Sequence, residues 1–340
     1  MLLNSIIKGD SLSEITDLAI KRVIEEGEKS SSRNGDVTYL NNVIVELTNP
    51  MSRHLNLEGR NNNIYATIGE LFWIMSGTDV IDPFLSFFLP RAKDYSDDGV
   101  TWRGGYGPRI YMDNQLQNAI DVFKTDGLDT RRSIISIYDS GIDSGVETKD
   151  LPCNNLIHFL VSDGKLNMNV VSRSSDVIWG LFGINIAEWT FLQEYVAQMV
   201  GVPVGTYTHF TSNLHIYDAT GKQANDVYKN FPQALNYHAA NRPCIFPEEN
   251  VRGFFTSLVD LYSREIKNYS CAYYTECSID KIFADYHVPT SGNTLYNYAQ
   301  LLSYYISGKM GDRSTGFNVN EYHQELVSCI RDSKFTNFIT

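Results

Sequence analysis

The chain has 340 residues, of which 43% are apolar and 20% charged, with a formal net charge of −12. Its 21 Tyr and 17 Phe give it ample apolar material for a core and exclude a disordered chain. The acidic balance excludes a protein that coats nucleic acid, which needs Lys and Arg in excess, but leaves room for a small anion site where a few arginines converge.

The opening MLLNSIIKGDSLSEI has neither the basic start nor the apolar centre of a signal peptide. Residues 11 to 28 place Ile15, Leu18, Ala19 and Val23 at a helical period, with Ser11 or Ser13 as the cap. A polar turn, KSSSRNGD, leads into the strand TYLNNVIVEL, which Asn49-Pro50 ends. IYATIGELFWIMSG reads as a mostly apolar helix with Glu70 in its middle, and helix resumes from Asp113 to Lys124. RSIISIY is a strand, Asp139 to Lys149 a loop, and LIHFLVS and LNMNVVS a hairpin about Asp163-Gly164. A further helix carries Trp189, Leu192, Val196 and Met199 on one face, and HFTSNLHIY is a strand ending near Tyr217.

Beyond it, FFTSLVDLYSREI and TLYNYAQLLSYYI give helical patterns. The expectation is an α+β fold, with a catalytic region over 1–245 and a mainly helical extension of the same domain over 246–340. No stretch approaches the roughly 20 apolar residues of a membrane span. Cys153, Cys244, Cys271, Cys277 and Cys329 are odd in number and form no CxxC pair, which argues against a disulfide framework and a zinc site. A cytoplasmic setting without a metal is the simplest reading.

Three places can carry chemistry. Cys153, after Leu-Pro at the entry to a strand, is either a small core residue or a nucleophile. The second role needs a positive charge beside the sulfur, and the hairpin returns Arg173 to that end. An arginine there would lower the thiol pKa and hold an anionic substrate. Glu70, flanked by apolar residues, is either salt-bridged or a carboxyl held near neutrality for proton transfer. Arg131 and Arg132 at the mouth of a strand are either solvated or reach a phosphate.

The order of these motifs resembles the thymidylate synthase family, which includes the pyrimidine nucleotide hydroxymethylases. The resemblance covers about Ser32 to Tyr217 and rests on SRNGDVT, GELFWIMSGTD, GGYGPR, DTRR, LPC, SRSSD, GINIAEW and LHIY. It implies a mixed β-sheet with flanking helices, whose sheet face packs in a homodimer. It also implies that Cys153 adds to C6 of a pyrimidine, that C5 takes a one-carbon unit from 5,10-methylenetetrahydrofolate, and that Glu70 manages protons. Arg33, Arg173 and Ser174 would bind the 5′-phosphate, with Arg131 and Arg132 supplied across the dimer. Asn185 would read the base, His215 and Tyr217 the sugar, and Asp176 would face the folate.

Several positions depart from the methylating synthases. Asn154 follows the nucleophile where histidine is usual, and Val171-Ser172 stands where Tyr-Gln is usual. LPRAKDYSDDG lacks the two tryptophans near the folate, and GLFGINIA is one residue longer than usual. The tail FTNFIT is foreign to the family. NVVSRSSDVIWG and SNLHIY are closer to the hydroxymethylases, in which water rather than hydride captures the exocyclic methylene. Glu70 or a hydroxyl such as Tyr106 would act as the base for that water.

The expected reaction is therefore C5 hydroxymethylation of a pyrimidine nucleoside monophosphate. Deoxyuridylate is favoured because asparagine complements uracil, with deoxycytidylate and cytidylate open. The alternatives are a divergent thymidylate synthase and an inactive nucleotide-binding relative, the latter disfavoured by the intact Cys153, Glu70 and arginines.

Overall fold

Alternation of buried and half-exposed side chains along the central strands organises the sheet of the structure, a computed structural model that describes residues 6–60, 62–233, 243–268 and 276–310. The strands are β1 (Ile6–Gly9), β2 (Glu28–Ser32), β3 (Gly35–Leu47), β4 (Ser133–Ser136), β5 (Asn154–Ser162), β6 (Lys165–Ser172), β7 (Ser175–Asp176) and β8 (Val204–Tyr217). They form one mixed sheet in the order β1-β3-β8-β6-β5-β4, with β2 added to β3 and β7 to β8. The β1–β3, β6–β8 and β7–β8 pairs are parallel and the others antiparallel. The mixed sheet with flanking helices expected from the sequence is borne out.

On one face, Val43, Val45, Tyr207, Val170, Met168, Ile157 and Phe159 are buried. The opposite face carries a half-exposed apolar row in which Ile44 pairs with Phe210, Phe210 with Val171, and Val171 with Leu156.

Helix α1 (Leu12–Glu26) starts where Ser11 accepts a hydrogen bond from the Glu14 amide at 3.1 Å, so Ser11 rather than Ser13 is the cap. The segment expected as a plain polar turn splits. Glu28–Ser32 becomes an edge strand on β3, and only Arg33-Asn34 turns. Its polar side chains suit a solvent-facing edge.

Helix α2 (Ile64–Ser76) is capped by Asn63 and ended by Gly77 at φ 72°, a left-handed position that glycine adopts without a Cβ clash. Within it, a Cβ on Gly69 would lie 2.9 Å from the Phe88 ring of α3 (Phe84–Phe88), so the glycine permits the close approach that seats Glu70. Short α4 (Tyr106–Tyr111) and α5 (Gln115–Asp126) precede β4. The 139–149 loop contains a turn of helix, α6 (Ser140–Asp143), anchored by a buried Arg109–Asp143 ion pair at 2.6 Å.

The hairpin forms as read, with Asp163 and Gly164 both at positive φ and Ser162 opposite Lys165. After β7 comes a π-helical segment, Val177–Asn185, continuous with α7 (Ile186–Val200). The GLFGINIA stretch, one residue longer than usual in the family, falls largely within this wider helical turn. Helix α8 (Gly221–Tyr228) follows the sheet, and α9 (Val251–Asn268), α10 (Glu276–Asp285) and α11 (Thr294–Met310) follow in turn. Phe255 of α9 meets Phe72 edge-on at 5.2 Å, and Tyr305 of α11 stacks on Tyr65 at 4.3 Å. The C-terminal helices thereby brace the helix that carries Glu70. FTNFIT, Cys271 and Cys329 lie outside the described residues.

Candidate active site

The β5–β6 hairpin closes the site's first contact. The Arg173 amide donates to the Cys153 carbonyl at 3.0 Å. Its guanidinium donates to the Pro152 and Leu151 carbonyls at 3.0 and 2.8 Å and lies 3.7 Å from Cys153 Sγ. Arg33 reaches the same loop, donating to the carbonyls of Thr148 and Lys149 at 2.9 and 3.1 Å. Two arginines far apart in sequence thus grip the turn that presents the cysteine. Ser174 follows, half-buried.

The expected depression of the thiol pKa needs correcting. Burial raises the Cys153 thiol above its ordinary value; Arg173 pulls it down, and the negative charges of Asp150 and Asp176 push it up again. The thiol is guanidinium-paired but not a resting thiolate.

Next to it, Asn154 is buried and donates to the Tyr106 hydroxyl at 2.6 Å, while its own Oδ1 is buried with no partner among the described residues. Tyr106 rests on the Trp189 ring at 4.9 Å, and burial raises its phenol well above the ordinary value, so it remains a neutral donor.

Glu70 is buried at 7% exposure, and the expected salt-bridge alternative fails: among the described residues it has no ion pair. What it meets is Glu188 of α7, 3% exposed and in hydrogen-bond contact with it. Burial, then the neighbouring Glu188 charge, raise Glu70 well above the ordinary carboxyl range, and burial brings Glu188 to about 7. Asn185 donates from Nδ2 to Glu188 Oε2 at 3.0 Å.

Asp176 accepts from the amides of Ile178, Trp179 and Gly180 at 3.2, 2.7 and 3.2 Å, which makes it the cap of the π-helical segment. His215 stands beside it on the β7–β8 pairing, with Nδ1 against Asn213 Oδ1 at 2.9 Å and Nε2 buried without a partner among the described residues. Burial lowers its pKa despite the Asp176 charge, so a neutral imidazole offers an acceptor. Tyr217 meets His215 edge-on at 4.7 Å and hydrogen-bonds Asn34, beside Arg33.

The structure therefore brings together Cys153, Glu70, Tyr106, Asn185, Arg33, Arg173, Ser174, Asp176, His215 and Tyr217. It does not bring Arg131 and Arg132 to them within this chain. Ser133, the next residue, pairs with Phe159, six residues along β5 from Cys153 and so about 20 Å away. Arg132 is exposed and pairs with Asp126 at 2.8 Å.

Glu188, Asp150 and Arg60 escaped the sequence reading. A lone carboxylate in the apolar run GLFGINIAEWTFL is the same signal that singled out Glu70 and would have found Glu188. Arg60 is buried, donates to the Ile178 carbonyl, and lies 5.1 Å from the Trp179 ring, which is 48% exposed. A Cβ on Gly183 would come within 2.7 Å of Arg60 Nη2, so glycine is required for that approach. An exposed indole beside the Asp176 carboxylate offers a pterin a face to stack on and an acceptor for its N–H groups. The residues present thus fit a reduced folate, and Trp179 supplies an aromatic face where Arg91 to Tyr95 supply no tryptophan.

The thymidylate synthase family model matches residues 17–244, and the chain belongs to that family. It is a one-carbon transferase with 5,10-methylenetetrahydrofolate as co-substrate. The chain is 36% identical over 327 residues, 91% of its own length and 89% of the relative's, to a protein named deoxyuridylate hydroxymethyltransferase from Delftia phage PhiW-14. A protein of the same name from Pseudomonas phage M6 is 34% identical over 218 residues, 63% of this chain and 62% of that relative. A thymidylate synthase from Corynebacterium aurimucosum is 27% identical over 224 residues, 63% of this chain and 81% of its own. The similarity is thus greater on the hydroxymethylase side, as the motifs implied.

Proposed function

We propose that this enzyme converts deoxyuridylate to its 5-hydroxymethyl derivative. The observation that carries the reading is the orientation of Asn185, supported by the name of the Delftia phage relative. With Nδ2 committed to Glu188, the Asn185 carbonyl is left to accept, and uracil offers an N3–H where cytosine offers only a lone pair.

Cys153 adds to C6 as its thiolate, forming the C–S bond and sending the C5–C6 electron pair toward the C4 oxygen. Methylenetetrahydrofolate would supply a one-carbon unit at the oxidation level of formaldehyde: C5 bonds to it, and loss of the C5 proton together with cleavage of the carbon–nitrogen bond to the folate, which leaves as tetrahydrofolate, gives the exocyclic methylene. Arg33 and Arg173 hold the 5′-phosphate together with Ser174, and His215 and Tyr217 hold the 3′-hydroxyl. Asp176 and Trp179 flank the folate. Water then bonds to the exocyclic methylene and gives up a proton to Glu70, with the neutral Tyr106 phenol acting as a hydrogen-bond donor rather than the base expected from the sequence, and the electron pair returns to C5–C6 as the thiolate leaves. The buried, unpartnered Asn154 Oδ1 is a polar position that suits such a water.

Arg131 and Arg132 serve the site of a second subunit in a homodimer built on the uncovered sheet face. Residues 246–340 extend the same domain. A cytoplasmic setting agrees with free Cys153 and Cys244 among the described residues, and no described helix is long and apolar enough to cross a membrane.

The test is incubation with methylenetetrahydrofolate and, separately, dUMP, dCMP, UMP and CMP, followed by mass spectrometry. A hydroxymethyl product from dUMP, with tetrahydrofolate regenerated, is expected. A methylated product with a stoichiometric near-ultraviolet dihydrofolate signal would make the enzyme a divergent thymidylate synthase.

A further inference from the structure

The Glu70–Glu188 contact implies more than one buried acid. Glu188 sits in the first turn of α7, within an apolar run, and its Oε2 accepts from Asn185 at 3.0 Å. Its Oε1 is buried and has no donor among the described residues. A donor exists only if the Glu70 carboxyl, in hydrogen-bond contact with it, carries a proton. Two carboxylates this close and away from water cannot both ionise, whereas one shared proton turns their repulsion into a hydrogen bond.

The remaining surroundings leave this balance undisturbed. Tyr106 from α4 and Tyr207 from β8 both feel the Glu188 charge, and burial keeps both phenols neutral. Tyr207 spends its hydroxyl on His209 Nδ1 at 2.8 Å, and burial keeps that imidazole neutral too. Among the described residues neither glutamate has an ion pair; the buried ion pairs are Arg53–Glu194 and Arg109–Asp143.

We propose that Glu188 is a positioning residue for proton transfer, sharing a single proton with Glu70 so that the pair presents one base and one acid to the reacting nucleotide. The inference rests on the reading of the site given above. As water bonds to the exocyclic carbon, Glu70 takes its proton and hands the shared proton on to Glu188. The electron pair of the exocyclic double bond moves to the C4 oxygen, and its return to C5–C6 breaks the C6–S bond and frees the thiolate. The singly protonated pair is the active form, so activity falls at alkaline pH when the shared proton is lost.

Glu188→Gln keeps the shape and the contact with Asn185 but removes the like charge, so Glu70 ionises at lower pH. The experiment compares parent, Glu188→Gln and Glu188→Asp by the pH dependence of kcat, scored as nucleotide consumed whatever the product. Infrared titration of ¹³C-glutamate-labelled protein is run in parallel. Expected are an alkaline limb displaced by at least one pH unit toward acid in Glu188→Gln and a carboxylic-acid band lost at correspondingly lower pH. KM for dUMP should change less than threefold, and Glu188→Asp should restore part of the parent profile.

A superimposable profile, or a uniform loss of kcat with no displacement, would overturn the proposal. If Glu188→Gln fails to fold by circular dichroism, Glu188→Asp and the parent titration decide, and a parent without a glutamic-acid band at neutral pH sinks the idea. Product identity judges the reaction assigned above, whereas the titration judges the pair even if dUMP proves not to be the substrate.

Discussion

At Cys153, burial and the charges of Asp150 and Asp176 raise the thiol while Arg173 lowers it, so its reactivity is set by a balance of neighbours on both sides of the hairpin. The position of Cys153 opposite Arg173 follows from hairpin geometry, but the inward turn of Asp150 does not, although Asp150 shares the DLPC stretch with the cysteine: the Gly104 amide, 46 positions away, holds that carboxylate at 2.8 Å. Glu70 was legible because a carboxylate between Gly and Leu-Phe-Trp has no solvent to turn to, while Asn154 read only as a departure until its bond to Tyr106 appeared. Cys153→Ala should abolish turnover and leave nucleotide binding by calorimetry within a few-fold, since Arg33 and Arg173 remain. Because the thiol stands above its ordinary value, the thiolate fraction grows as pH rises, so single-turnover adduct formation should accelerate through pH 8 and above. Asp150→Asn removes a charge that raises the thiol and should move that rise toward lower pH. A rate independent of pH from 6 to 9 would contradict this account of the thiol.

The elements were legible where their pattern is self-contained. The β5–β6 hairpin announced itself through alternating apolar residues and Asp163-Gly164, and α2 through its apolar run. Glu28–Ser32 did not, because five polar residues on an edge strand carry no alternation to read; their pairing with β3 is a tertiary fact. The α2–α7 contact was likewise invisible, since it joins two separately plausible helices through a pair of carboxyls. That contact has a thermodynamic consequence. Both carboxyls have folded pKa values above their unfolded ones, so folding binds extra protons and their contribution declines as pH rises from about 4.3 through the folded values. Glu188→Gln should therefore raise the unfolding free energy relative to the parent at pH 8, by roughly 1.4 kcal/mol for each pH unit of displacement removed, seen as a higher Tm, with the gain vanishing near pH 4. At the hairpin, Arg173→Ala would remove the proposed charge-assisted phosphate contact of about 1.5–3 kcal/mol, which predicts at least tenfold weaker nucleotide binding. Because Arg173 also ties down Leu151 and Pro152, Arg173→Lys should keep the fold and still bind weakly, since an ammonium cannot match the forked guanidinium.

At the scale of the whole molecule, one sheet face is a core and the other is a surface with the character of an interface. Ile44, Phe210, Val171 and Leu156 form a half-exposed apolar row across four strands, and at the β4 edge Ile134 is 47% exposed. Arg131 and Arg132 stand at the start of that same edge strand, remote from the site of their own chain, and Arg132 pairs there with Asp126 at 2.8 Å. A two-fold pairing through this face would cover the apolar row and let each arginine pair complete the opposite site, which is the isologous arrangement that symmetric dimers favour. The arrangement makes a prediction that no monomeric site can satisfy. Cys153→Ala subunits lack the proposed nucleophile but carry sound arginines, whereas Arg132→Ala subunits keep that cysteine and lack the arginine. Each homodimer should be impaired, the first fully and the second through weakened phosphate binding. After denaturation and refolding of an equimolar mixture, half of the dimers should be hybrids, and in each hybrid one of the two sites combines an intact Cys153 with an intact Arg132. That site should restore the parent KM for dUMP with about a quarter of the parent kcat per site, measured by product formation at limiting nucleotide. If tagged pull-down shows hybrids forming and the mixture still has only the KM of Arg132→Ala, the arginine acts within its own chain or on no phosphate at all.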